Sequence, residues 1–338
     1  MNRNSRIKGG NVIVLTSAFL IAIIGLLGML MATQRPAFAH NSGASDKPTI
    51  ITNTIAYSRV ISASSSHEVR FVNIDGTNDI SVTIGWRPRL SPDNDFISFN
   101  RDGTYSSGTG DNIYVKDLAT QIITRVVNNP ADYIVSSNWM TDSQHIVLDV
   151  SCGIYRIGRD GSNSINLTSN HNCYDDAPNA NPLSGRIAFH NQFSGLYTMN
   201  PDGSSIQHIP NTQANDWWPV WSTDGQWLSF LRGANYYKIR PDGTGLTQLT
   251  FSNAVITGPN DYSPAVPWSG ALWSSDDSGI VGPRTINGVQ GIYAIAADGS
   301  GATTLVLPSP AGTWVDSVGT VIGNPIIIRT VYLPVIIQ

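Results

Sequence analysis

Four stretches of the chain repeat one layout, and that repeat constrains the fold more than any other feature. They are GIYRIGRDGSNSINLT (153–168), GLYTMNPDGSSIQHIP (195–210), NYYKIRPDGTGLTQLT (235–250) and GIYAIAADGSGATTLV (291–306). In each, the turn aspartate falls five residues after a tyrosine: Tyr155 to Asp160, Tyr197 to Asp202, Tyr237 to Asp242 and Tyr293 to Asp298. Degenerate copies occur from Arg70 to Asp75 and from Tyr114 through Asp117. Asp-Gly between alternating apolar runs is a strong hairpin signal, because Gly supplies the positive φ of the turn. A second hairpin unit lies between the copies, best seen in DWWPVWSTDGQWLSF (216–230). Its nine-residue step recurs as Leu90 to Phe99, Trp139 to Leu148, Ala180 to Phe189, Trp221 to Phe230, Trp273 to Gly282 and Trp314 to Gly323.

The two hairpins alternate with a period near 42, as Tyr114, Tyr155, Tyr197 and Tyr237 show. Four short antiparallel strands per unit of about forty residues is the size of one propeller blade. Composition agrees. The chain holds 23 Asp against one Glu, and 16 Arg against four Lys, so the charged helix formers are scarce while the turn former abounds. The expected fold is therefore all-β: a β-propeller of four-stranded antiparallel blades. Six Tyr/Asp-Gly hairpins imply six blades, with the last Trp hairpin pairing with Ile55–Val60 to close the ring. Seven is the alternative, since residues 326–337 and 49–52 are also β-forming and could complete a further blade.

Trp-Ser-x-Asp-Gly followed by an apolar-x-Phe strand, and then Ile-Tyr-x-x-x-x-Asp-Gly, resembles the WD40-like repeat of TolB-type β-propellers. The resemblance covers about residues 55–323. It implies the fold and says little about function. TolB proteins carry an α/β domain before the propeller; only about fifteen residues, His40 to Thr54, are left here for one. The resemblance is thus to the propeller alone.

The first forty residues carry Arg3, Arg6 and Lys8, then an apolar run from Val12 to Ala32, then Ala37-Phe38-Ala39 before His40. A basic start, an apolar run and a small-x-small site read as a signal peptide over residues 1–39. At 21 residues the run is also long enough to span a bilayer, so a signal anchor is the alternative. Residues 40–48 read as a linker and 49–338 as one propeller. The protein is expected to be exported, periplasmic or extracellular, with membrane attachment only if Val12–Ala32 is retained. Removing residues 1–39 takes away four basic and no acidic side chains, moving the net charge from −4 to −8. That balance excludes nucleic acid as the expected partner.

If each blade is a meander, both Asp-Gly turns point to one face. The connections from strand two to three, and from blade to blade, point to the other. The second face carries the irregular sequence, so a site belongs there. Candidates for a binding face are His171, His190, Asp216, Trp217, Trp218, Arg232 and Arg284. Asp175 and Asp216 each precede a Pro by three residues, which also fits a repeated structural turn. The Asp-Gly pairs lack the alternating oxygen ligands and closing Glu of a calcium loop.

Neither a Gly-x-Ser-x-Gly elbow nor a His-Glu-x-x-His motif occurs, so no catalytic residue, metal ligand or cofactor is assigned. The favoured function is an exported scaffold binding a protein, peptide or glycan. The alternative is a metal-dependent polysaccharide lyase resembling the oligogalacturonate lyases, with His171 and His190 as the basis of a metal site. Cys152 and Cys173, the only cysteines, fall in two loops of the irregular face in one blade. Export allows them to pair, and closing a loop of that length stabilises by about 3 kcal/mol. Intact-mass spectrometry of the exported protein checks both expectations. The mass should begin at His40 and be two hydrogens short of the reduced chain; a retained Val12–Ala32 segment, or two free thiols, would contradict them.

Overall fold

The nine-residue step and the Tyr spacing have one cause, visible in the strand pairing. The residue that ends the step stands directly opposite the Tyr of the next strand: Phe99 opposite Tyr114, Leu148 opposite Tyr155, Phe189 opposite Tyr197, Phe230 opposite Tyr237 and Gly282 opposite Tyr293. In three blades the pair is an aromatic stack, with ring centroids 5.9, 5.6 and 5.8 Å apart. Cross-strand aromatic pairs of this kind stabilise a sheet by up to about 1 kcal/mol each.

The computed structural model describes residues 53–322 apart from 62–65, 103–111, 128–133, 135, 152, 172–173, 252–269 and 311–312. Cys152 and Cys173, the N-terminal segment and residues 326–337 therefore lie outside the described residues. Among those described there is no helix, and so none that could cross a membrane.

Twenty-four strands form six four-stranded antiparallel sheets. The first blade holds β1 (Thr54–Ile61), β2 (Ser66–Asn73) and β3 (Ile80–Ile84). The second holds β4 (Trp86–Leu90), β5 (Phe96–Arg101), β6 (Asn112–Asp117) and β7 (Ile123–Arg125). In the third are β8 (Ser137–Trp139), β9 (His145–Val150), β10 (Gly153–Gly158) and β11 (Ile165–Asn166). The fourth consists of β12 (Asp175–Ala180), β13 (Ile187–Asn191), β14 (Gly195–Met199) and β15 (Gln207–His208). The fifth has β16 (Asp216–Trp221), β17 (Leu228–Arg232), β18 (Asn235–Ile239) and β19 (Thr247–Gln248). The sixth has β20 (Leu272–Trp273), β21 (Gly279–Ile286), β22 (Val289–Ala296) and β23 (Thr303–Pro308).

The last strand, β24 (Thr313–Ile322), returns to the first blade and pairs antiparallel with β1, Trp314 opposite Val60 and Ile322 opposite Thr54. It becomes the innermost strand there. The six inner strands β24, β4, β8, β12, β16 and β20 touch in that order and close the ring. Six blades, as the hairpin count implies, account for every described strand.

Trp at the end of an inner strand stitches blades together. Trp139 Nε1 donates to the Arg89 carbonyl of the preceding blade at 2.8 Å, and Trp273 Nε1 to the Val220 carbonyl at 3.1 Å. At Trp221 the stitch changes form: its backbone N–H donates to Asn179 Oδ1 at 2.9 Å. Apolar side chains fill the gaps between sheets, as where Ile113 and Val115 of β6 meet Trp139, Ile146 and Leu148 of the next blade.

The turns repeat down to single bonds. Asp160, Asp202, Asp242 and Asp298 each accept the backbone N–H two residues on at 2.9 Å. The glycines that follow have φ between +82 and +87. Gly203 carries a second constraint, since a Cβ there would lie 2.4 Å from the Leu167 carbonyl oxygen of the neighbouring blade. Gly288 has a similar φ of +78 but nothing within 4 Å. Gly288→Ala should therefore cost about 1 kcal/mol from backbone strain alone, and Gly203→Ala upward of about 3 kcal/mol. Urea unfolding of the two variants checks this; equal losses would show that the blade contact does not matter.

Candidate functional site

Strand order puts the 1–2 and 3–4 turns of every blade on one face and the 2–3 and blade-to-blade connections on the other. Three inner strands begin at that second face with the same irregularity. Arg87, Ala177 and Trp218 each precede a proline and have φ of +53, +51 and +58, and the pairing register slips there in β4, β12 and β16. A bulge re-aims side chains and is common beside functional sites. Here it delivers Arg87 of the second blade and Trp218 of the fifth to the channel mouth. The Arg87 guanidinium carbon lies 6.0 Å from the Trp218 ring centroid, so diametrically opposed blades meet over the channel.

Around this contact stands a buried charged group. His190 of β13 is fully buried. Its Nδ1 lies 2.8 Å from Asp176 Oδ1 and its Nε2 lies 3.2 Å from the Ala214 carbonyl. Both partners are acceptors, an arrangement that favours the doubly protonated ring over the neutral one. Burial opposes that charge, but the Asp176 carboxylate outweighs it and the pKa is raised. Trp217 covers the ring, with centroids 4.4 Å apart.

Asp149 occupies the strand position in β9 that His190 holds in β13, and accepts the Ser136 N–H at 2.6 Å. Burial, and then the charge of Asp176, push its pKa up to about 7.

The other candidates are tied into the scaffold. Asp216 is fully buried and takes two bonds of 2.6 Å from Arg232, Nε to Oδ1 and Nη2 to Oδ2, plus the Gln213 N–H at 2.9 Å. Asp175 accepts Asn191 Nδ2 at 2.8 Å and pairs with His171 Nδ1 at 2.6 Å. Burial lifts its pKa although both partners pull it down. His171 then packs edge-on against Tyr197 and Phe189. Arg284 of β21 donates to the Ala234 carbonyl at 3.0 Å and to Thr250 Oγ1 at 3.1 Å, joining the sixth blade to the fifth. The structure thus brings His190, Trp217 and Trp218 together at the mouth and sends His171, Asp216, Arg232 and Arg284 to structural contacts.

Sequence reasoning missed Arg87 and Asp149. The aligned signal was present: Pro88, Pro178 and Pro219 all stand two residues before the Trp position of their repeats.

With this geometry in view, comparison with solved structures decides the fold type. TolB from Acinetobacter baumannii superposes with a TM-score of 0.62 at 15% identity, covering 78% of this chain and 66% of that one. The fold is a TolB-type propeller. The chain spans slightly under two thirds of the length of that TolB. A putative TolB from Agrobacterium tumefaciens gives 0.54 at 14% identity, over 81% of this chain and 93% of that one. An oligogalacturonate lyase in complex with manganese gives 0.51 at 12% identity, over 68% and 73%. No protein-family model matches the sequence, and no curated protein matches it either.

The manganese of that lyase does not fit the residues here. A ligating imidazole needs a nitrogen free to face the metal, and both nitrogens of His190 are already taken up by oxygen acceptors, Asp176 Oδ1 and the Ala214 carbonyl. Among the described residues no three His, Cys, Asp or Glu side chains converge as a metal site would require.

The Asp149 environment predicts a pH dependence. A raised folded pKa means the native state holds a proton that the unfolded chain gives up near pH 4, so stability falls as pH rises from about 4 to about 7. Asp149→Asn should remove that loss, which is on the order of 4 kcal/mol for a shift of this size. Urea unfolding from pH 4 to 8 should show the variant gaining on the parent as pH rises, with no gain at pH 4. A difference independent of pH would contradict the buried, protonated carboxyl.

Proposed function

We propose that the protein is an exported interaction scaffold that takes a protein or peptide partner on the face built from the 2–3 and blade-to-blade loops. One observation carries this reading. Tyr174, in the loop before β12, and Phe193, between β13 and β14, stand exposed on that face at 49% and 70%. Their rings meet edge to face at 4.8 Å. Exposed aromatics held against each other lose little entropy on binding and are typical anchors of a protein interface. Tyr174 is held at a φ of +91, an uncommon value for a large side chain that is associated with functional positions. Beside them the Asp176–His190 pair sets a fixed charge pattern, which supports selectivity more than affinity.

The closed ring suits this role, since a rigid scaffold presents loops without rearranging. Likeness of fold to TolB structures supports a propeller acting outside the cytoplasm, in keeping with the basic, apolar and Ala37-x-Ala39 segments at the start of the chain. The lyase reading loses its basis with the saturated His190. A glycan partner would use the same aromatic pair by stacking.

Site-specific photo-crosslinking in cells that export the protein tests the proposal. A crosslinker at position 193 should yield a discrete protein adduct. At Leu183, which is 72% exposed in the β12–β13 turn on the opposite face, it should not. Adducts from position 183 alone would place the interface on the wrong face. Tyr174→Ala with Phe193→Ala should reduce capture by tenfold or more if the pair anchors the partner.

A further inference from the structure

The exposed rings of Tyr174 and Phe193 come from two different loops, and their contact requires those loops to be held at a fixed separation. Tyr174 precedes β12 and Phe193 follows β13. The two strands pair at Asp175 and Asn191, which stand opposite each other at the end of the ladder nearest the rings. Both side chains are buried, at 2% exposure each.

The Asn191 amide spans the gap. Its Nδ2 donates to Asp175 Oδ1 at 2.8 Å, one residue from Tyr174. Its Oδ1 accepts the Phe193 N–H at 3.1 Å and the Ser194 hydroxyl at 2.9 Å. These partners fix which end of the amide is which, since the oxygen serves the donors and the NH₂ serves the carboxylate. The other oxygen of Asp175 lies 2.6 Å from His171 Nδ1, so the carboxylate is held on both sides. A backbone bond of 3.2 Å from the Gln192 N–H to the Tyr174 carbonyl further links the loops.

The next blade shows the same position in a different use. Asp216 stands opposite Arg232 in the fifth blade as Asp175 stands opposite Asn191 in the fourth. Arg232 closes on Asp216 with two bonds and reaches the Asn211 carbonyl with Nη2. A guanidinium has donors only, so it can hold the aspartate but cannot accept the N–H groups of its own turn. The turn that follows it is Gly233-Ala234 and carries no aromatic. In the fourth blade an amide replaces the guanidinium. An amide donates to the aspartate and accepts from the turn at once, and there the turn carries Phe193.

We infer that Asn191 is the positioning residue of the partner face: its amide couples the two loops and holds the Tyr174 and Phe193 rings together before a partner arrives. The inference rests on the aromatic pair being the anchor proposed above, and it assigns the pre-organisation of that anchor to one buried side chain. An anchor already in its bound geometry loses less freedom on association and binds more tightly for it.

Three variants of the whole protein separate the bridge from the fold. Asn191→Asp keeps an acceptor for the Phe193 N–H but sets a carboxylate against Asp175. Asn191→Ser keeps an oxygen beside its own turn, is too short to bridge to Asp175 and buries no charge, so it decides the matter if Asn191→Asp does not fold. Asn191→Asp/Asp175→Asn restores the bridge with donor and acceptor exchanged. Nuclear Overhauser cross-peaks between the Tyr174 and Phe193 rings should be strong in the parent, absent in both single variants and regained in the double variant. Those of the Phe189–Tyr197 stack should persist throughout and report the intact blade. Photo-crosslinked adduct from the exposed position 192 should follow the same order, falling about tenfold in the single variants and recovering in the double. Ring cross-peaks undiminished in Asn191→Ser, or not regained in the double variant, would overturn the inference. So would an adduct yield that stays level while the ring cross-peaks vanish. Loss and recovery of the cross-peaks with no adduct from the parent would support the hold of Asn191 on the rings and count against the partner face instead.

Discussion

Everything at the channel mouth depends on one pairing, that of β24 with β1. The last strand lies antiparallel against the first along its whole length, from Thr54 opposite Ile322 to Ile61 opposite Thr313. It thereby supplies the first blade with an inner strand from the other end of the sequence, and that strand also borders β4. Without it the first and sixth blades would lack a neighbour and the inner strands would be free to splay. The contact of Arg87 with Trp218, which joins opposite blades, exists only in a closed ring. Closing the ring fixes a loop of more than two hundred residues, so its entropic cost is large in total yet grows only slowly with length. Backbone pairing and interblade packing together offset it.

Closure also lets polar groups lie inside the protein. The mouth combines the His190 imidazole, the Asp176 carboxylate and a carboxyl with a pKa near 7: His190 lies between Asp176 of its own blade and the Ala214 carbonyl, and Asp149 takes the Ser136 N–H of its own blade. Such groups stabilise little on their own, since desolvation consumes most of the attraction. Their value is geometric. The pre-proline bulges aim Arg87 and Trp218 at the channel, and the Asp216–Arg232 and Asp175–His171 pairs hold β16 and β12, two of the strands that bulge. The fold concentrates unfavourable burial at one place, and a repeat that would otherwise be uniform breaks its pattern there.

That break explains how far the sequence could be read. Turns, strand order and closure were legible because they repeat: the Asp-Gly bonds, the residue nine after the Trp position standing opposite each Tyr, and the pairing of Trp314 with Val60 all follow from aligned copies. A site is what differs between copies, and alignment shows only that a position differs. Arg87, Asp149 and Trp218 come from three blades and gain a common neighbourhood through the ring, so spacing could not join them. His171 illustrates the opposite error. Its place in a blade-to-blade loop suggests the mouth, yet Asp175 draws it against Tyr197 and Phe189. Arg284 likewise reaches sideways to the fifth blade.

A closed ring makes one demand on dynamics. Strands that complete a blade from opposite ends of the chain should open only when the whole propeller unfolds, as core strands do. Native-state amide hydrogen exchange measures this directly. Amides of β1 and β24 should exchange as slowly as those of β9, β13 and β17, with the same free energy of opening. Exchange in β1 and β24 faster by orders of magnitude would mean that the ring opens at this seam, and that the mouth described here is not a fixed surface.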